Sequence, residues 1–199
     1  MSAQSSLEIA SAAARLIVEE GMGYGPAKRR AARDLGYHSR TASLPGNDEV
    51  EDEVRAYLDL FEADTQPAEL AELRRIAAQW MATLAPFRPH LSGAVWRGTA
   101  TRRNSVHIDL YCDDSKAAEL ALIDRRIEYD TSSVERPRGG EPLSVLDVTT
   151  RSAVLQGFVH VALTVHDYDD LRGALQRDSR GRSARGDLAA LDALEAASP

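Results

Sequence analysis

The sequence predicts an α+β fold: a helical N-terminal region over residues 1–90, followed over 91–199 by a mixed or antiparallel sheet with helices. Two observations lead there. In the first half apolar residues recur at helical spacing, with Leu7, Ala10, Ala14 and Ile17 on one face and Val50, Val54, Tyr57, Leu58 and Phe61 on another. In the second half the period falls to two. Val106, Ile108, Leu110 and Cys112 alternate with His107, Asp109 and Tyr111, and Val159, Val161, Leu163 and Val165 alternate with His160, Ala162, Thr164 and His166. Helices first, then strands with helices, is an α+β order.

Each element has its own signal. A first helix over Leu7–Glu20 is stopped by the three glycines of residues 21–25. Pro26 suits the first turn of a short helix running to Leu35, and Tyr37–Gly46 reads as loop. Asn47 or Asp48 caps the next helix, whose early Glu49, Glu51, Asp52 and Glu53 sit at its positive end. A fourth helix begins at Thr65-Gln66-Pro67, turns Leu70, Leu73, Ala77, Trp80, Met81 and Leu84 inward, and is closed by Pro86 and Pro89. Strands are predicted at Ala94–Thr101, Val106–Cys112, Leu143–Val148 and Phe158–Val165, with an edge strand at Ile127–Asp130. Lys116–Arg126 reads as a short helix, Arg136–Gly140 as a turn, Asp178–Gly186 as a polar loop, and Asp187 as the cap of a closing helix bearing Leu188, Leu191 and Leu194.

Composition narrows the functional classes. The formal net charge is −7, and it is unevenly spread: residues 1–46 carry six bases and four acids, 47–91 four bases and ten acids, and 92–199 fourteen bases and seventeen acids. An acidic middle section of that kind opposes general phosphate-backbone binding, which needs a basic face. No apolar run approaches the roughly 18 residues that span a bilayer, and the N-terminus lacks a secretory layout, so a cytoplasmic location without membrane contact is expected. With one cysteine, Cys112, no intrachain disulfide forms and a cysteine-rich zinc site is excluded.

The segment that draws attention is Gly93-Ala94-Val95-Trp96-Arg97-Gly98-Thr99-Ala100-Thr101-Arg102-Arg103-Asn104-Ser105-Val106-His107-Ile108-Asp109-Leu110. It resembles the signature of the nucleotidyltransferase superfamily that includes DNA polymerase β. There a strand ends in Gly-Ser, a short connection follows, and the next strand reads Asp-hydrophobic-Asp-hydrophobic. The resemblance implies Gly98-Thr99 as the phosphate-holding Gly-Ser and Asp109 as the second carboxylate, with Mg²⁺ and an NTP as cofactors. Residues i and i+2 of a strand face the same way, so two carboxylates there can share an ion, and Mg²⁺ wants such hard oxygen ligands. Arg97, Arg102 and Arg103 flank the same segment and have the geometry to hold a phosphate bidentately.

The sequence departs from that pattern. His107 stands at the first carboxylate position, and the strand expected to supply a third acid offers His160, Ala162 and Thr164. Three readings follow: a pseudoenzyme binding a nucleotide or a protein partner; a different metal site of His107, Asp109 and His160, suited to Zn²⁺ rather than Mg²⁺; or a solvated strand face with no chemistry. A rival function lies in Lys28, Arg29, Arg30 and Arg33, a basic helix offering a regulatory, protein-binding or nucleic-acid-binding surface. Asp113-Asp114 reads as a helix cap, His166–Asp170 as a strand-end loop able to approach Asp109, and Cys112 as core.

Overall fold

The structure is a computed structural model describing residues 3–37, 44–136, 139–178 and 180–197. Two compact units divide the chain: Met1–Ala68 with Thr99–Arg103, and Glu69–Gly98 with Asn104–Pro199.

The first unit is helical. Its helices are α1 (Ala3–Glu20), α2 (Tyr24–Asp34) and α3 (Asn47–Phe61). The predicted apolar stripe of α1 is buried as Ile9, Ala10, Ala13, Ala14, Ile17 and Val18, against Ala27, Ala31 and Ala32 of α2 and Val50, Val54 and Leu58 of α3. The facing stripes are rich in alanine, a side chain small enough to let helices approach closely. Gly21 ends α1 with φ at +67°, and a Cβ there would stand 3.1 Å from the Arg103 carbonyl oxygen. Both the backbone conformation and the close approach therefore require glycine. At the start of α3 the Gly46 N–H donates to the Glu49 carboxylate at 2.6 Å, tying down the first turn. Most of the predicted loop at Tyr37–Gly46, residues 38–43, lies outside the described residues.

The second unit opens with α4 (Gln66–Thr83), whose first residues precede the boundary, and a 3₁₀ turn over Ala85–Phe87. Then come β1 (His90–Ser92), α5 (Gly93–Arg97), β2 (Val106–Cys112), α6 (Ala117–Asp124), β3 (Asp130–Val134), β4 (Leu143–Ser152) and β5 (Gly157–Asp167). A 3₁₀ turn at Tyr168–Asp170, α7 (Leu171–Ala174), β6 (Arg185–Gly186) and α8 (Leu188–Ala196) complete it. The strands form one six-stranded sheet in the order β3-β4-β5-β2-β1-β6. Only β2 and β5 run parallel; the other neighbours are antiparallel, so the sheet is mixed and the α+β class holds.

The alternating residues behave as their period predicts. Val106, Ile108 and Leu110 of β2 and Val161 and Leu163 of β5 are fully buried at 0%. Helix α4 is tied to β4 by two side-chain bonds: Trp80 Nε1 donates to Thr150 Oγ1 at 2.7 Å, and Ser152 Oγ donates to the buried Glu72 carboxylate at 2.7 Å. Arg75 holds that carboxylate through both of its oxygens, and this bond keeps Glu72 below its usual range despite burial.

Three local expectations are corrected. The strand predicted at Ala94–Thr101 is instead α5, closed by Gly98 in the left-handed region at φ +79°. The valine and tryptophan that suggested a strand serve a single helical turn, in which Trp96 packs over Gly186. The edge strand lies at Asp130–Val134 rather than 127–130, and the polar loop at 178–186 ends in a two-residue strand, β6.

Candidate functional site

Because paired residues on neighbouring strands share a face, the register fixes which side chains surround Asp109. Across β1, Ser92 faces His107 and His90 faces Asp109. Across β5, Ala162 faces His107, Thr164 faces Asp109 and His166 faces Tyr111. One strand further out, on β4, Asp147 faces Ala162 and Thr149 faces His160. On the opposite flank, β6 sets Arg185 beside Ser92. The apolar face of β2 is core; its other face carries this polar set.

Asp109 is the centre of a closed cluster. It is 8% exposed, and His166 Nε2 lies 3.0 Å from its Oδ1. Arg185 Nη1 lies 2.9 Å from its Oδ2 and donates to the Tyr111 hydroxyl at 2.7 Å. The second contact to Asp109 is an ion pair without hydrogen-bond direction: Oδ2 has the distance but no aligned donor. Burial by itself would raise the Asp109 pKa, yet the His166 bond and the Arg185 charge outweigh it and hold the carboxyl below its usual range. The Tyr111 phenol is pushed up to about 12, chiefly by burial. Its ring stacks on His166 at 5.1 Å and meets His90 edge-on at 5.4 Å. His90 is itself fixed by donating from Nδ1 to the Arg88 carbonyl at 2.9 Å.

Sequence reasoning named Asp109 and placed His166 in phase with His160, Ala162 and Thr164; it missed Arg185 and the structural weight of Tyr111. Carrying the β5 alternation one pair further along gives His166. No signal marks Arg185, which sits in a polar stretch rich in arginine.

The proposed metal set does not converge. His107 and Asp109 are neighbours on one face of β2, but His160 lies four residues along β5 from Thr164, the residue opposite Asp109. Four residues of strand span roughly 13 Å, whereas zinc ligands stand about 2 Å from one ion. Among the described residues no three His, Cys, Asp or Glu side chains group to hold a metal ion. Nor does the site fit the two Mg²⁺ ions of the signature. Asp109 is engaged by His166 and Arg185, a nitrogen ligand stands at 107 and a methyl group at 162, while Asp147, a strand further out, accepts from Ser132 Oγ.

The residues expected to hold phosphate fall in both units. Gly98 caps α5 within the second unit. Thr99, Arg102 and Arg103 belong to the first, where Thr99 is buried at 2% and Arg103 donates to the Val18 carbonyl at 3.5 Å. The basic helix is largely engaged within its own unit. Lys28 donates to the Pro45 carbonyl and to Asn47, Arg30 pairs with Glu20 and Asp34, and Arg33 pairs with Asp34. Asp114 accepts from the Lys116 N–H at 2.9 Å, organising the turn before α6, and Cys112 is buried.

The fold and this cluster define an α+β protein with a mixed six-stranded sheet and a carboxylate-centred polar face. No family model matches the chain, and no curated protein does. Solved structures that it resembles include the Cid1 poly(U) polymerase bound to MgGTP, at 11% identity over 48% of this chain and 32% of that one, with a TM-score of 0.33. Cid1 in complex with the UTP analogue UMPNPP matches at 13% identity over 48% and 30%, TM-score 0.33. A cytoplasmic RNA terminal U-transferase matches at 14% over 49% and 30%, also at 0.33. The matched region spans under a third of each of those chains, and scores of this size do not define a fold.

Proposed function

We propose that the chain is a nucleotidyltransferase-like protein whose metal chemistry has degenerated, serving as a binding or regulatory module rather than a nucleotidyl transferase. The observation that carries this reading is the register of β2 against β5. It sets Ala162 opposite His107 and Thr164 opposite Asp109, on the strand expected to supply the third acid, while Arg185 and His166 engage the one remaining carboxylate. The Arg185 guanidinium supplies there positive charge of the kind that a divalent ion would bring.

The strand before β2 bears on how the signature maps. That strand is β1, and it runs directly into Gly93-Ala94. We therefore assign the signature's Gly-Ser position to Gly93-Ala94 in place of Gly98-Thr99. In support, Gly93 has φ at +70°, and a Cβ there would lie 3.3 Å from His107 Cδ2, so it abuts the first carboxylate position. Alanine in place of serine removes one more polar group from the site.

The expected result is that purified protein shows neither Mg²⁺-dependent nucleotidyl transfer nor Mg²⁺-dependent NTP binding at about 1 mM. Labelled-nucleotide transfer that Asp109→Asn abolishes would sink the reading.

A further inference from the structure

We infer that the groove over the second half of α1, between α2 and α3, docks an amphipathic helix of a partner protein, one whose apolar stripe is edged by lysine or arginine. The groove lies wholly within the first unit and has a volume of about 550 Å³. Helices α2 and α3 each pack on α1 and scarcely on one another, which leaves α1 as the floor. Both walls run along it. Arg30 of α2 pairs with Glu20, and Tyr37, just past α2, donates to Glu8, so α2 lies antiparallel to α1. Ser6 donates to Glu49 and Tyr57 to Glu19, so α3 lies parallel to α1. The α1 lining extends from Ser11 to Glu20, about 14 Å at the helical rise. A trough of that length between two helical rails takes a fourth helix, by the packing that builds a four-helix bundle.

The apolar surface is of the kind that anchors a helix. Ala12 and Leu16 form the floor, Ala31 and Leu35 one wall, and Tyr57 and Phe61 the other. Leu35 and Phe61 are 45% and 63% exposed, and they face a shared groove rather than standing singly on the surface. The aromatic wall is already ordered. The rings of Tyr57 and Phe61 lie 4.6 Å apart, and the Tyr57 hydroxyl donates to Glu19 at 2.6 Å, so docking there costs little side-chain entropy. Charge then selects the occupant. Both guanidiniums at the groove are engaged within the chain, Arg15 by Glu19 and Arg30 by Glu20 and Asp34. The α3 wall carries six acids against one base, Arg55, which pairs with Glu51. Glu53 lies one turn before Tyr57, on the same side of α3. A helix edged with lysine or arginine is matched at that wall, whereas an acidic helix is repelled.

The groove shares no residue with the cluster at Asp109, so the inference goes beyond the proposed function and stands or falls separately from it. The test uses the full chain and two synthetic, labelled, alanine-rich peptides of about 18 residues, long enough to form helix. Both carry leucines at helical spacing; one has lysines beside them and the other glutamates. Binding is read by fluorescence anisotropy. The lysine peptide is expected to bind with a Kd below about 0.5 mM, and the glutamate peptide not to bind. Phe61→Ala, at an exposed position and checked by thermal melting, is expected to weaken the lysine peptide about tenfold. Leu60→Ala removes a comparably exposed apolar side chain of α3 from outside the groove, and is expected to change nothing. Weaker or absent binding of the lysine peptide, equal binding of the two peptides, or an affinity that Phe61→Ala leaves unchanged each overturns the proposal. An equal loss with Leu60→Ala also overturns it, since the attraction is then diffuse. A dimer that Phe61→Ala splits and the lysine peptide leaves intact gives the groove to a second copy of the chain, and overturns it too.

Discussion

Tyr111 shows how one side chain in the cluster sets a measurable property. Its ring is fully buried at 0%, and its hydroxyl accepts from Arg185. Burial disfavours the phenolate and lifts the pKa to about 12; the Asp109 carboxylate adds to the rise while Arg185 opposes it. The folded value lies above that of an unfolded tyrosine, so the native state keeps a proton that the unfolded chain releases. The resulting stability is fully present below about pH 10 and is lost as pH rises from there through 12. An ultraviolet phenolate titration should therefore contain a step near pH 12 that Tyr111→Phe removes. If the wild type and the Phe variant titrate alike, Tyr111 does not have this environment.

At the scale of elements, β6 does much with two residues. It pairs with β1, delivers Arg185 to Asp109, and passes Gly186 beneath the Trp96 ring, where a Cβ would come 2.2 Å from Cη2. Trp96 is held from its other end, since Nε1 donates to the Ser183 carbonyl at 2.8 Å. Gly186→Ala must push the indole aside or lift β6 away, so a loss of about 1–3 kcal/mol is expected, read as a lower thermal midpoint. An unchanged midpoint would mean that this packing is slack. Length explains what the sequence revealed of these elements. The seven residues of β2 and eleven of β5 are long enough to display their alternation, which carried both strands and the face bearing Asp109 and His166. The three residues of β1, five of α5 and two of β6 display no period. Val95 and Trp96 have strand propensity, and tertiary packing overrode it. Arg185 stayed hidden for the same reason: its role depends on a short pairing between positions more than 90 residues apart.

At the scale of the whole molecule, the ordering of helices before strands made the α+β class legible, because it needs only the change of period. The meeting of β6 with β1 needs the finished sheet, so the ion pair at Asp109 does too. That ion pair bears on global stability through protons. The Asp109 pKa in the fold lies below its ordinary value, so its contribution is present above about pH 4 and is lost as pH falls through the lowered value. Asp109→Asn keeps the shape but removes the charge that His166 and Arg185 engage. At neutral pH the variant should be less stable by on the order of 2 kcal/mol. Because asparagine does not titrate, its urea midpoints should fall less steeply between about pH 5 and pH 3, and the two curves should draw together. Trp80 and Trp96, the chain's two tryptophans, both lie in the second unit, so intrinsic fluorescence follows the unfolding of the unit that contains the cluster. Parallel curves across that range would mean that Asp109 carries no stabilising charge, and would remove the ground for assigning Arg185 the place of a metal ion.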